Sequence, residues 1–280
     1  MKKIGFVDYY ISEWHANNYP DFIADACKKT GDEFEVAYAW AEEYVSPVDG
    51  RNTDQWCEAI GVQRCETIDE LCEKSDYIVV LSPDNPEKHL EYAKAVLKHG
   101  KNTYIDKTFA PDYATAKAIF DEAEKYGTKF FSTSALRYAD EYEGVDCGGG
   151  LIVTGGGSKL DDYIIHILEI IATLVKSEPR SVKSTVQGRQ VISNLTFADG
   201  MRASFVYTPD SPFSISVCDK EGKTEYKVLT SDFFATLITE ILKFFKTGVL
   251  PFDSVETLRI MKMRDAVLKS VENDGMEVEI

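Results

Sequence analysis

Short apolar runs alternate with amphipathic stretches through the first half of the chain. Residues 3–8, 34–40, 77–82, 102–106 and 128–132 are brief and rich in Val, Ile, Tyr and Phe, the pattern of strands buried on both faces. The segments between them have helical periodicity and legible ends. Pro20 opens 21–29 and Gly31 closes it; Thr53 caps 54–60 ahead of Gly61; Thr67 caps 68–74. Pro86 opens 87–98 before Gly100, and Pro111 opens 112–126 before Gly127. Strands separated by helices predict a doubly wound, Rossmann-like parallel sheet with helices on both faces.

The pattern changes after Arg137. Residues 141–157 are acidic and then rich in glycine, and a helix is predicted over 160–175. Strand-like runs follow at 181–187, 190–197, 201–207, 213–218 and 225–229, joined by turns such as Asp199-Gly200 and Glu221-Gly222. Two late helices, 232–246 and 255–273, complete the chain, the second capped by Ser254. Strands segregated from helices predict an α+β domain with a small, open, mostly antiparallel sheet. The expected division is 1–135 and 136–280, with the final helix packing back on the first domain.

Composition narrows the function. A length of 280 residues with 44% hydrophobic residues suits two globular domains with real cores. The formal charge of −16 repels nucleic acid and anionic membrane, which excludes both as partners, and disfavours an anionic cofactor unless local positive groups offset it. The six cysteines form no Cys-x-x-Cys pair and no zinc-type cluster, so they are expected as free thiols in the cytoplasm, and no metal site is expected. Met1-Lys2-Lys3 leads straight into a strand without a signal-peptide core, and no run approaches the length of a membrane span.

Four constellations could carry chemistry. Asp106-Lys107-Thr108 follows the fourth predicted strand, at the end of a parallel sheet where ligands bind, and the lysine could donate to a substrate hydroxyl or simply be solvated. Asp162 and His166 lie four apart on one helix face with Glu169 three further on, either an acid/base pair or a histidine satisfied by a carboxylate on a buried helix. Ser82-Pro83-Asp84-Asn85 and the following His89 form either a ligand loop or an ordinary turn. Arg137 and Tyr138, at the expected domain junction, could orient a substrate, or Arg137 could bridge an acidic neighbour.

In this order the pieces resemble the glucose-fructose oxidoreductase / inositol dehydrogenase (Gfo/Idh/MocA) family. The Ser82-Pro83-x-Asn85 loop with His89 is similar to the family's Thr-Pro-Asn and helical His, and 101–110 to its Lys-His-Val-x-x-Glu-Lys-Pro-x-Ala segment. Leu136-Arg137-Tyr138 resembles the family's Leu-Arg-Phe junction, and Gly156-Gly157 through Asp162, His166 and Glu169 its Gly-Gly-x-x-x-Asp-x-x-x-His-x-x-Asp, with one extra residue. The resemblance implies NAD or NADP bound by the first domain and hydride transfer to or from a sugar, polyol or cyclitol. It implies Lys107 polarising the substrate oxygen and His166 as acid/base, oriented by Asp162, with Arg137 and Tyr138 also on the substrate. It implies Tyr9, Tyr10, Ile11, Glu42, Ser82, Pro83, Asn85, His89 and Asp106 at the cofactor, and a homo-oligomer through the second sheet.

Specific departures accompany the resemblance. The three glycine positions of the Gly-x-Gly-x-x-Gly loop read Asp8, Tyr10 and Glu13, two of them carboxylates where a pyrophosphate would lie. Thr108 stands for the family's Pro, and Trp40 occupies the ribose-binding acid position with Glu42 close by. Three readings therefore stand: an NAD(P)-dependent oxidoreductase; a non-redox binding, regulatory or assembly protein that has lost the dinucleotide; and, weaker than these, a lyase or isomerase that keeps the acid/base pair with tightly held or no nicotinamide.

Overall fold

The computed structural model describes all 280 residues, and they divide into two compact units: Met1–Thr133 with Phe234–Ser254, and Ser134–Phe233 with Val255–Ile280. The segment that rejoins the first unit is thus the penultimate helix and the loop after it. The final helix, expected to pack back, belongs to the second unit.

The first unit holds six strands: β1 (Lys2–Asp8), β2 (Phe34–Ala41), β3 (Gln63–Arg64), β4 (Tyr77–Val80), β5 (Thr103–Ile105) and β6 (Phe130–Phe131). All pairings are parallel and the order is β3-β2-β1-β4-β5-β6. Its helices are α1 (Trp14–Thr30), α2 (Thr53–Ile60), α3 (Ile68–Lys74), α4 (His89–Leu97) and α5 (Tyr113–Tyr126). This is the doubly wound sheet the alternation predicts. Strand order reverses between β1 and β4, and the crevice beyond the carboxyl ends of those strands is where such folds hold ligands. The core is aromatic and branched: Phe6, Trp56, Ile78, Tyr92, Tyr104 and Ile105 are all fully buried.

One helix start differs from expectation in a way that matters below. Pro20 does not open α1 but lies inside it; the helix begins six residues earlier at Trp14, with Glu13 as its N-cap. As the seventh residue of the helix, Pro20 has no N–H to give to the Ala16 carbonyl, so α1 forgoes one backbone hydrogen bond there. Elsewhere the ends follow the sequence signals closely. Asn52 rather than Thr53 caps α2, in a capping box with Gln55, and Thr67 caps α3. Gly31, Gly61 and Gly127 end their helices in the left-handed conformation that glycine adopts without strain.

The second unit is built on β7 (Gly150–Gly155), α6 (Leu160–Leu174), β8 (Pro179–Gln187), β9 (Gln190–Phe197), β10 (Arg202–Tyr207), β11 (Ser214–Cys218) and β12 (Thr224–Val228). After α7 (Phe233–Thr247), most of which belongs to the first unit, α8 (Val255–Glu272) and β13 (Val278–Glu279) complete it. The sheet order is β12-β11-β7-β10-β9-β8-β13, antiparallel throughout except for β7 against β10. The interior strand β7 was not expected, because the glycines on both sides of it disguise its alternation of buried and exposed residues.

Those glycines serve the chain's own packing. A Cβ on Gly156 would sit 2.3 Å from the Thr208 carbonyl oxygen, and one on Gly157 would strike the ring of Tyr163. The segments after β7 and β10 run so close that only hydrogen fits. Gly156→Ala should therefore lower the unfolding free energy by about 1–3 kcal/mol, the usual cost of overpacking. Urea unfolding measures it, and an unchanged midpoint would contradict the reading.

Candidate functional site

At the carboxyl end of β1, Asp8 stands where the first loop glycine was expected, and its carboxylate ties β1 to β4. Asp8 Oδ1 accepts from the Tyr9 amide at 2.7 Å, the Ser82 amide at 3.0 Å and the Ser82 hydroxyl at 3.2 Å. Ser82 has φ of 59°, a left-handed conformation that a non-glycine residue holds only when its surroundings fix it. The Asp8 contacts supply that fixing. The other oxygen, Oδ2, is buried without a hydrogen bond. Burial first, then the nearby Glu13 carboxylate, push the Asp8 carboxyl well above the usual carboxylate range.

The loop Tyr9 to Ser12 then enters α1. Tyr9 and Tyr10 are half-buried and Ile11 is buried. Burial, with Asp84 and Asp8 near, pushes the Tyr10 phenol up to about 12. Ser12 is laced to the loop after β2: its hydroxyl donates to Asp49 at 2.8 Å, and its carbonyl accepts from the Ser46 hydroxyl at 2.6 Å.

Glu13 occupies the third glycine position and is 3% exposed. Its carboxylate accepts from the backbone amides of His15, at 2.8 Å, and Ala16, so the free amides at the start of α1 already hold an anion. His15 Nδ1 lies 3.2 Å from Glu13 Oε2 and 3.6 Å from Asp106 Oδ2. Burial works against the imidazolium, but the Asp106 and Glu13 carboxylates outweigh it and raise the His15 pKa. Sequence reasoning missed His15 and missed Glu13 as a cap, because the helix was expected to start later. A glutamate two residues before a histidine was the available signal.

At the carboxyl end of β5, Asp106 is buried; its Oδ1 lies 3.1 Å from the Tyr104 hydroxyl, and its Oδ2 accepts no hydrogen bond. Lys107 is half-buried, and its Nζ donates to the Pro83 carbonyl at 3.5 Å, which joins the β5 loop to the β4 loop. The Lys107–Thr108 peptide is cis. Asn85 donates to Glu87 at 2.9 Å and, like Pro83, lies in the β4 loop.

His89, a candidate for cofactor contact, is fully buried, and both ring nitrogens face carbonyl oxygens, Leu81 at 2.6 Å and Phe109 at 3.0 Å. Burial lowers its pKa. It clamps the β4 and β5 loops together and presents no atom to a ligand. Glu42, just past β2, accepts from Lys88 and, at 2.6 Å, from the Tyr92 hydroxyl. Burial opposes its charge, yet these two partners hold the Glu42 carboxyl below its usual value.

The remaining candidates belong to the second unit. His166 is half-buried on α6, with Nδ1 2.7 Å from the Ser134 hydroxyl and its ring edge-on to Phe213. Asp162 lies 3.8 Å from Lys159 Nζ. Arg137 is buried; its guanidinium pairs with Glu169, and with Glu256 at 3.2 Å. Arg137 therefore bridges acidic neighbours, and Glu169 is one of them. Tyr138 is half-buried beside it. A surface hollow of this unit, about 670 Å³, lies between Val145, Lys176, Asp199 and Lys220, and none of the candidates lines it.

Residues 28–134 match a family described as oxidoreductase, NAD-binding Rossmann fold, of the Gfo/Idh/MocA group. Part of the chain, 107 of its 280 residues, is therefore similar to the Rossmann unit of that family. Sixty residues are 37% identical to the uncharacterized oxidoreductase YhhX of Escherichia coli; they make up 21% of this chain and 17% of that relative's length. The myo-inositol dehydrogenase of Lactobacillus casei, solved with NAD(H) and myo-inositol, superposes with a TM-score of 0.79 at 13% identity, covering 100% of this chain and 96% of that one. The UDP-N-acetylglucosamine 3-dehydrogenase of Acidithiobacillus ferrooxidans gives 0.75 at 14% identity over 97% and 98% of the two chains. At these identities the likeness is one of fold, and it extends over both units.

An NAD-type cofactor would meet this unit at three places, the β4 loop, the end of β2 and the start of α1. At the β4 loop and the end of β2 the polar groups of Ser82, Pro83, Asn85 and Glu42 are held by Asp8, Lys107, Glu87, Lys88 and Tyr92, and a ribose would exchange with these contacts. The start of α1 does not offer its amides to a pyrophosphate, because Glu13 already uses them.

The Asp8 carboxyl gives a stability test. Its folded pKa is raised, so its stabilising contribution is complete below the unfolded value of about 3.9 and is lost as pH rises through the folded pKa. An Asp8→Asn variant has no such loss. Its melting temperature relative to the unsubstituted protein should therefore climb as pH increases from about 4 toward 8. A difference that stays flat across that range would contradict the burial of an ionisable group at this point.

Proposed function

We propose that this protein is an NAD(H)-dependent oxidoreductase that interconverts an alcohol and a carbonyl on a sugar, polyol or cyclitol. The observation that carries the reading is the junction at the head of the parallel sheet. Asp106-Lys107 and Ser82-Pro83 leave adjacent strands there, and the Lys107 ammonium reaches the Pro83 carbonyl. In a unit that matches an NAD-binding family, a half-buried cation beside that loop supports a role for it next to a nicotinamide. The dinucleotide, when bound, supplies the hydride acceptor or donor.

The chain's own residues have separable tasks in this reading. Lys107 donates to the substrate oxygen and stabilises its developing negative charge. Asp106 and His15 set the field around that ammonium. His166 takes or returns the hydroxyl proton at Nε2, while the Ser134 hydroxyl engages Nδ1 and orients the ring. Asp162, one turn earlier on the same helix, keeps negative charge near the imidazole. Ser82, Pro83, Asn85 and Glu42 hold the cofactor's ribose groups, and Tyr138 lines the substrate side.

A second reading has one observation in its favour. The carboxylate cap on α1 is what a Rossmann unit that no longer binds a dinucleotide would show. The all-free cysteines and acidic surface support a cytoplasmic protein in either reading. A homo-oligomer through the second sheet is supported by its outward face. Ile152, Tyr226 and Val228 are exposed there, in register with the half-buried Ile192 and Val206 on neighbouring strands.

The oxidoreductase reading is tested by assaying the protein with NAD and a panel of cyclitols and hexoses, then repeating the assay with Lys107→Ala. Turnover by the unsubstituted protein is expected, with a loss of at least about a hundredfold in Lys107→Ala. NADH affinity should change little. A substituted enzyme that turns over at the original rate removes Lys107 from the chemistry.

A further inference from the structure

We propose that Glu13 is an internal competitor for the cofactor's pyrophosphate: the chain's own carboxylate sits on the anion site of α1, and the dinucleotide binds only by displacing it. The inference rests on the oxidoreductase reading and adds to it a residue that sets cofactor affinity.

Three observations carry it. First, a helix start offers only a few free amides, and a dinucleotide of this fold needs them for its pyrophosphate. Glu13 already accepts from two, those of His15 and Ala16. Second, the carboxylate is held by more than the helix. Its Oε2 also meets the His15 ring at 3.2 Å, and that ring faces Asp106 Oδ2 at 3.6 Å. Third, two carboxylate oxygens near this point, Asp8 Oδ2 and Asp106 Oδ2, are buried without a hydrogen bond, in residues each 1% exposed. They make the surroundings electronegative, so a second anion entering beside Glu13 would meet repulsion from Glu13 and Asp106, offset in part by the His15 imidazole and the Lys107 ammonium near it.

Displacement, however, is within reach of the local geometry. Glu13 is the last residue before the helix, with an extended backbone at φ −136°, so its side chain can turn away without unwinding α1. His15 would keep its contact with Asp106, and the two amides would be released together. The loop from Ser46 to Arg51 that holds Ser12 is bound to it by two hydrogen bonds through serine and aspartate side chains. These are contacts that can exchange as the turn adjusts.

The experiment is equilibrium binding of NADH, followed by nicotinamide fluorescence, to the unsubstituted protein, Glu13→Gln and Glu13→Ser. Glutamine keeps an acceptor for the amides without the charge; serine is itself a favoured N-cap and guards against a variant that fails to fold. Both variants should bind NADH at least about tenfold more tightly. Adenosine, which has no phosphate, should bind all three alike. Equal NADH affinity in all three overturns the competitor role while leaving the oxidoreductase reading standing. An equal gain for adenosine also overturns it, because the effect would then be general opening of the pocket and not release of an anion site. No NADH binding by any of the three at millimolar concentration overturns both.

Discussion

A helix start has one set of unpaired amides, and only one anion can use them. In this protein the anion is part of the chain. The arrangement at the head of the sheet follows from that. Glu13 closes the start of α1, His15 is drawn to Glu13 and Asp106, and Asp8 is left buried between Glu13 and the amides of β1 and β4. In the glycine-loop form of this fold the same space is left to a pyrophosphate. Here the space is filled with side chains, and the ligand has to compete for the amides.

The replacement is coherent and not a random loss. Asp8 would be costly alone, since a buried carboxylate with one orphan oxygen is destabilising. Its other oxygen gathers three hydrogen bonds and fixes Ser82 in a conformation that non-glycine residues seldom adopt. Ser82 in turn begins the loop whose Pro83 carbonyl receives Lys107. His89 locks the β4 and β5 loops together from below by reaching both Leu81 and Phe109. The first glycine position is thus a structural tie for the segment whose Pro83 carbonyl receives Lys107.

Much of the fold was legible because burial leaves a period. The strands of the parallel sheet appear as apolar runs and the outer strands of the second sheet as alternations, and glycine marks the helix ends well. What was illegible has physical causes. β7 sits between glycines that exist to let two segments touch, so its alternation is short and interrupted. β3 and β13 span two residues each, too few to carry a pattern. The start of α1 was hidden because proline usually marks a helix opening and glutamate is an unusual cap, and with it went the role of Glu13. Arg137 and Glu169 were visible as charges, but their mutual pairing was not, since residues thirty-two apart in sequence meet only in the folded unit.

The measurement closest to the central claim is a crystal structure of the protein grown with NADH. The account predicts a dinucleotide whose pyrophosphate lies on the His15 and Ala16 amides, with the Glu13 carboxylate swung off them and the remainder of α1 unmoved. A cofactor bound at full occupancy while Glu13 still holds both amides would contradict it.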